Sequence, residues 1–377
     1  MSARRPLPGW IDVGLIPLVN VLIAFLVAGL IVLAIGVDPL TAVRIMITGA
    51  FGYPEAIGYT LYYATNFVFT GLAVAVAFHA GLFNIGGEGQ AYVGGLGVGL
   101  VLLALDAVLP GLILIPLAVL AAAAFGAAWA AVPAALQAYR GSHIVITTIM
   151  FNFIAAALMV YLLVNVLIAP GSMTPETREF TAASQLPQLH LVLRSLGIAM
   201  GPSPLNLATL WALVCCGLVY VFLWHTSWGY ELRAMGHNAP AAVYAGIRPA
   251  RMIILAMSVS GALAGFVAVN EILGVHHRLI LNFTAGYGFG GIAVALMGRN
   301  HPVGVVLGSL LFGALYQGGA ELAFEIPAIS REMVVAIQGL VILFSGALAN
   351  LTRPWFESLF AALVRAERPA ATVPGQA

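Results

Sequence analysis

Long apolar runs, broken at Pro, Gly or charged positions, fill most of the chain. They fall at about 13–35, 57–79, 86–105, 110–135, 143–168, 205–225, 251–273, 286–298, 303–323 and 332–350. An α-helix needs about 20 residues to cross about 30 Å of hydrocarbon, and most of the runs have that length. The pattern predicts an all-α, polytopic membrane protein of about ten transmembrane helices. The third and eighth runs are Gly-rich, and the eighth is short. Two polar stretches interrupt the pattern. Ala169–Pro204 is rich in Pro, and Thr226–Ala250 carries Glu231, Arg233, His237, Asn238 and Arg248.

Composition supports bilayer as the solvent. Of 377 residues, 62% are hydrophobic and 8% charged, with a mean hydropathy of +1.02. Soluble proteins carry about 25% charged residues, so a water-facing surface of normal area is excluded. All 15 basic residues are Arg. Without Lys the chain supplies neither a P-loop lysine nor a Schiff base, so any nucleotide hydrolysis belongs to another polypeptide. Cys215 and Cys216 are adjacent in an apolar run, with neither a disulfide framework nor a metal-ligand spacing.

Arg placement predicts the orientation. With both termini in the cytoplasm, Arg4, Arg5, Arg140, Arg233, Arg248, Arg251, Arg299, Arg353, Arg365 and Arg368 lie inside. Arg44, Arg178, Arg194, Arg278 and Arg331 lie outside, as the positive-inside rule requires. The basic Met1–Arg5 and the run after it resemble a signal peptide, but the run is long and no small-residue cleavage site follows, so it reads as a first retained span. Ala169–Pro204 is then external and Thr226–Ala250 cytoplasmic. We expect a single transmembrane domain over 1–377, with a first half at about 1–204, a second at about 205–350 and a cytoplasmic tail at 351–377.

Ten spans divide into five plus five, and an odd number per half inverts one half against the other. Span three then corresponds to span eight, and these are the two Gly-interrupted segments, Gly81–Gln90 and Ala285–Gly291. Paired breaks at matching places in two halves point to a transport site near the midplane. A broken helix exposes amides and carbonyls to a polar solute, and Gly admits close backbone approach. The alternative is tight helix packing through small residues.

Glu88 stands in the first turn of the helix after the first break, where a carboxylate is favoured. Either it lines the path or it holds the break in shape. Asn84 and Gln90 offer amide donors and acceptors to a hydroxyl-rich or base-bearing solute, or satisfy the broken backbone. Phe83, Tyr92, Tyr287 and Phe289 flank the breaks and suit stacking on a base or sugar. Asn66, Asn152 and Asn165, inside apolar runs, read as interhelical hydrogen-bonding residues. His276 and His277 face apart on an α-helix and show no surrounding carboxylates, and no His cluster has ligand spacing. No catalytic constellation is present, so the chain does not read as an enzyme.

Three stretches carry a family resemblance. They are Gly81–Gln90 (GLFNIGGEGQ), Gly229–Asn238 (GYELRAMGHN) continuing through Ala241–Ile247, and Gly286–Gly298 followed by Pro302. Together they resemble the permease family of ABC importers for ribose, branched-chain amino acids and nucleosides, and the wording is nearest to the nucleoside and simple-sugar branch. The resemblance spans nearly the whole chain. In the family Pro directly follows the residue matching Asn238, whereas here Ala239 intervenes before Pro240. Gly290 stands where many members carry a polar residue.

The resemblance implies an importer permease in a bacterial plasma membrane, without a cofactor or metal of its own and without nucleic acid. The breaks and the residues beside them give the expected solute pathway, Phe83, Asn84, Glu88, Gln90, Tyr287 and Phe289. The resemblance implies an ATPase-coupling segment with Glu231, Arg233, Gly236, His237, Asn238, Tyr244 and Gly246. The partners would be an ABC ATPase, a second permease that is a paralogue, a solute-binding lipoprotein and membrane lipid. Nucleosides lead as solutes, ahead of simple sugars and branched-chain amino acids. The main rival is a transporter driven by Na⁺ or H⁺, which would need no coupling segment. A membrane enzyme is the third reading.

Overall fold

Proline marks where several helices begin. In the computed structural model, which describes residues 15–195, 197, 201–330, 332–340, 354 and 356–358, Pro39, Pro54, Pro249 and Pro302 each open a helix. At that position the missing N–H has no intrahelical partner to lose. The helices are α1 (Ile16–Ala34), α2 (Pro39–Phe51), α3 (Pro54–His79), α4 (Gly87–Leu105), α5 (Gly111–Arg140), α6 (Ile144–Asn165), α7 (Leu189–Ser195), α8 (Ala208–His225), α9 (Ser227–His237), α10 (Ala239–Tyr244), α11 (Pro249–Gly265), α12 (Tyr287–Met297) and α13 (Pro302–Glu325). A π-helix, Val269–His276, extends α11.

The fold is all-helical, and among the described residues the only bridges between extended segments are Glu176 with Ile280 and Gln188 with Asn206. Among the described residues seven helices are long and apolar enough to cross a membrane, or up to eight if α1 and α2 form one broken span. The apolar runs from 57–79 to 303–323 each meet a helix within a few residues. Of the run at 332–350, residues 332–340 are helical and the rest lies outside the described residues. α2 was not anticipated, although Asp38-Pro39 is a readable start signal. The Asp38 carboxylate accepts from the Thr41 amide at 2.9 Å, as an N-cap does.

Two units divide the chain, one of residues 1–43 with 323–377 and one of 44–322. In the first, Ile16 packs on Phe356 beside Leu15 and Val19. The second holds every residue of the site described below. At its centre is α3, with 83% of its apolar window buried, against 22% for α6. A helix apolar all round belongs in a core, whereas the exposed Leu, Ile and Phe of α5, α6 and α8 suit lipid. Small residues set the closest crossings. A methyl group on Gly126 would overlap the Gly261 carbonyl, and one on Gly265 would overlap that of Ala122, so α5 and α11 pack backbone to backbone.

The second unit has two ends. At one, Gly81–Phe83, the end of α5, the start of α6 and the start of α11 line a common groove of about 510 Å³. His79 there hydrogen-bonds to the Asn300 carbonyl. At the other end the long polar stretch is tied down. Asp106 receives Arg178 through two bonds of 2.7 and 2.9 Å. The Phe180 and Thr177 amides donate to the His277 and Leu279 carbonyls.

Candidate functional site

Both Gly-rich breaks enter the interior, and they do so from opposite ends. The first follows α3. Gly81, at φ +72°, turns the chain back, and residues 82–86 rise without helix until α4 starts at Gly87. The second follows the π-helix at the other end. His277, Asn282, Ala285 and Gly286 all have positive φ, and α12 starts at Tyr287. Gly290 and Gly291 lie against Phe67 and Thr70, which places the start of α12 near the middle of α3.

The breaks meet at Glu88. Its Oε1 accepts from the Thr284 hydroxyl at 2.6 Å and the Gly286 amide at 2.9 Å, and Oε2 accepts from the Gly288 amide at 2.8 Å. A carboxylate on α4 thus satisfies the open amides of α12, where the positive helix end favours it. The backbones are in contact, since a methyl group on Gly288 would overlap the Glu88 amide nitrogen. Tyr92 adds a second tie, donating to Asn282 Oδ1 at 2.8 Å and stacking on Phe283 with centroids 5.3 Å apart. A cavity of about 280 Å³ opens beside this junction, lined by Glu88, Tyr92, Asn152, Asn282, Thr284 and Gly286 among others.

The other expected pathway residues lie around the same junction. Asn84 and Gln90 are buried and bonded to each other, Asn84 Nδ2 to Gln90 Oε1 at 2.9 Å, while Asn84 Oδ1 accepts from the Gly86 amide. In this conformation Asn84 satisfies the broken backbone and Gln90 braces Asn84. Tyr287 is buried against Phe67, centroids 5.4 Å apart. Phe289 is exposed, and Phe83 packs at a tilt against Phe78 at the edge of the groove. Asn66 and Asn152 do bond between helices, to Glu271 and to the Gly89 amide and Ile85 carbonyl. Among the described residues Asn165 bonds within its own helix, to the Tyr161 carbonyl.

Sequence reasoning missed a second interior carboxylate. Glu271 is 2% exposed and accepts from Tyr62 at 2.7 Å and Asn66 Nδ2 at 2.5 Å. His276 Nε2 lies 3.3 Å from its Oε2, so a carboxylate does stand beside this His, contrary to the expectation. At α-helical spacing residues 271 and 276 face apart. The π-helix, with i→i+5 bonding, brings them together. The acid itself was legible, because it falls inside the run 251–273 and intramembrane acids are uncommon. Tyr63 and Tyr316 were also missed. They are half-buried, 5.8 Å apart, and Tyr316 lies 5.0 Å from Phe67.

The expected coupling segment forms an exposed shelf at the groove end. Asn238 ends α9 and caps α10, its Oδ1 accepting from the Ala241 amide, so Ala239 and Pro240 occupy the first two helical positions. Gly246, at φ +84°, closes α10. Tyr244 is 95% exposed, and Gly236, His237 and Asn238 are exposed too. Glu231 is half-buried, while Arg233 lies 6.0 Å over Trp224.

The model of the family described as branched-chain amino acid transport system / permease component matches residues 56–346. A glucose ABC transporter permease protein of Haloferax volcanii is 35% identical over 91% of this chain and 90% of its own length. A guanosine ABC transporter permease protein of Bacillus subtilis is 35% identical over 88% and 92%. A nucleoside ABC transporter permease protein of Lactococcus lactis subsp. cremoris is 32% identical over 88% and 90%. No solved structure matches.

Proposed function

The chain belongs to the branched-chain amino acid transport system permease component family, and on that premise we propose that it is the membrane-spanning subunit of an ABC importer carrying nucleosides or related polar solutes inward. As a member it is a multi-pass transport component rather than an enzyme. The observation that carries the proposal is the junction at Glu88, where two broken segments entering from opposite ends meet at half the depth of α3. Non-helical backbone at membrane depth is tolerated only where protein buries it or where it lines a water-filled path. The opposed entry supports two inverted halves within one transmembrane domain, and with them a count of about ten spans.

In this reading the solute passes along the partly open face bearing Glu88, Phe289, Tyr63 and Tyr316, with Phe83 at the cytoplasmic edge. Asn84, Gln90 and Tyr287 shape the path from behind. The exposed Asn282 and Ala285 are covered by a second permease, a paralogue, across the path. The shelf of α9 and α10 docks the ATPase through Tyr244, His237 and Asn238, with Glu231, Arg233, Gly236 and Gly246 fixing its shape. That end also holds Arg140, Arg248 and Arg251, so it is the cytoplasmic one, and both chain termini are cytoplasmic in a bacterial plasma membrane. A solute-binding lipoprotein docks at the opposite end, beside the stretch anchored by Asp106 and Arg178. Half-buried tyrosines suit the stacking of a base and favour nucleosides. The likeness to a glucose permease favours a simple sugar as the second reading.

The test is co-expression with a neighbouring ATPase and paralogue, followed by uptake in proteoliposomes. We expect co-purification and ATP-dependent inward transport of labelled guanosine or adenosine. A purified chain that binds no ATPase and transports alone would sink the proposal.

A further inference from the structure

We propose that the contact between Gly81 and Gly236 is the joint through which α9 and α10 act on the solute path, which makes these glycines positioning residues for transport. The inference rests on the reading of α9–α10 as the docking shelf.

The two glycines come from the two motifs singled out in the sequence, and the fold brings them together. Gly81 is left-handed, a conformation only Gly adopts without cost, and a methyl group on it would lie 3.3 Å from Gly236 Cα. A methyl group on Gly236 would overlap the His79 carbonyl oxygen. No side chain cushions the contact, so the end of α9 presses directly on the stem of the first break. Tight packing by small residues is common between membrane helices. Here, however, Gly236 meets the point where α3 gives way to the non-helical segment 82–86.

What that segment holds gives the contact its consequence. His79, just before the break, donates through Nε2 to the Asn300 carbonyl at 3.0 Å, beyond the C-terminal end of α12. Glu88, just after the break, accepts from the Gly286 and Gly288 amides at its N-terminal end. The stretch 79–88 therefore grips α12 at both ends. Trp224 braces the same place, with the His79 ring at 5.3 Å, the His301 ring at 5.1 Å and Arg233 at 6.0 Å. A displacement of α9 reaches α12, and so the Glu88 junction, without an intervening flexible element.

The test uses the assembled transporter in proteoliposomes, measuring uptake and ATP hydrolysis together. Gly81→Ala, on the path side of the joint and outside the docking shelf, is expected to co-purify with the ATPase and hydrolyse ATP while solute moved per ATP falls about tenfold or more. Gly217→Ala, whose added methyl meets no atom within 4 Å, is expected to match the unmodified chain. Gly81→Ala with unchanged solute per ATP would overturn the joint and leave the proposed function standing. If the unmodified chain fails to bind an ATPase, both fall. Should Gly81→Ala fail to assemble, spin labels decide the matter in protein that keeps both glycines. In a Cys215→Ala, Cys216→Ala background, labels at Tyr230→Cys, exposed on α9, and Phe83→Cys are expected to hold one separation with and without nucleotide, while that between Phe83→Cys and Leu191→Cys shifts. A separation between 230 and 83 that changes with nucleotide, or one between 83 and 191 that does not, overturns the proposal.

Discussion

Glu88 ties the two broken segments together, the shape-holding one of the two roles that the sequence left open. Its carboxylate supplies two oxygens to three donors, so Glu88→Gln retains one acceptor oxygen and turns an amide against the remaining N–H. Each buried donor left unpaired costs about 1–3 kcal/mol, and a change of about 1.4 kcal/mol is tenfold in an equilibrium. We expect Glu88→Gln to lower ATP-dependent uptake about tenfold while the protein still inserts and purifies. Uptake at the unmodified level would show that the junction tolerates the loss. Asp106 gives a pH-dependent case outside the membrane. The hydrogen bonds from Arg178 come first among the causes that hold its carboxyl below the usual range, while burial acts the other way. A carboxylate with a lowered folded value contributes stability in full above its unfolded value, about 3.9, and loses it as pH falls through the folded value. Amide exchange over 177–186 should thus accelerate below about pH 4. In Asp106→Asn exchange should be fast at every pH, and a pH step that persisted there would assign it to another group.

At the scale of elements, helix starts were the most readable feature, because Pro, Asp and Asn act within a few residues. Asp38 and Asn238 cap α2 and α10 by that local rule. The π-helix was not readable. Its bonding differs from an α-helix by one residue of offset, which apolar periodicity does not report, and so the approach of His276 to Glu271 was not anticipated. The network predicts different outcomes for two substitutions. Glu271→Ala frees Tyr62, Asn66 and His276, at about 1–3 kcal/mol for each group that finds no new partner; interhelical bonds in membranes average about 0.6 kcal/mol. Glu271→Gln keeps an acceptor for Asn66. Thermal unfolding in detergent should fall clearly for Ala and little for Gln. Equal losses would mean that charge, and not hydrogen bonding, holds the segment.

For the whole molecule, the all-helical membrane class was legible because it follows from bulk composition and run length alone. The two Gly-rich breaks were expected to come together, and Gly288 does lie against the Glu88 backbone. The wall of Tyr63 and Tyr316 was not legible, since it depends on how distant segments pack, whereas α2 was overlooked although its start signal is local. Tyr244 raises one further matter. It is almost wholly exposed beside the exposed Val243, an apolar knob that, on the proposed function, the ATPase covers in the finished assembly. A copy made in excess of its companions would keep that knob bare, a ready mark for quality-control proteases. The surface that harnesses the motor would then also let the cell keep its stoichiometry honest.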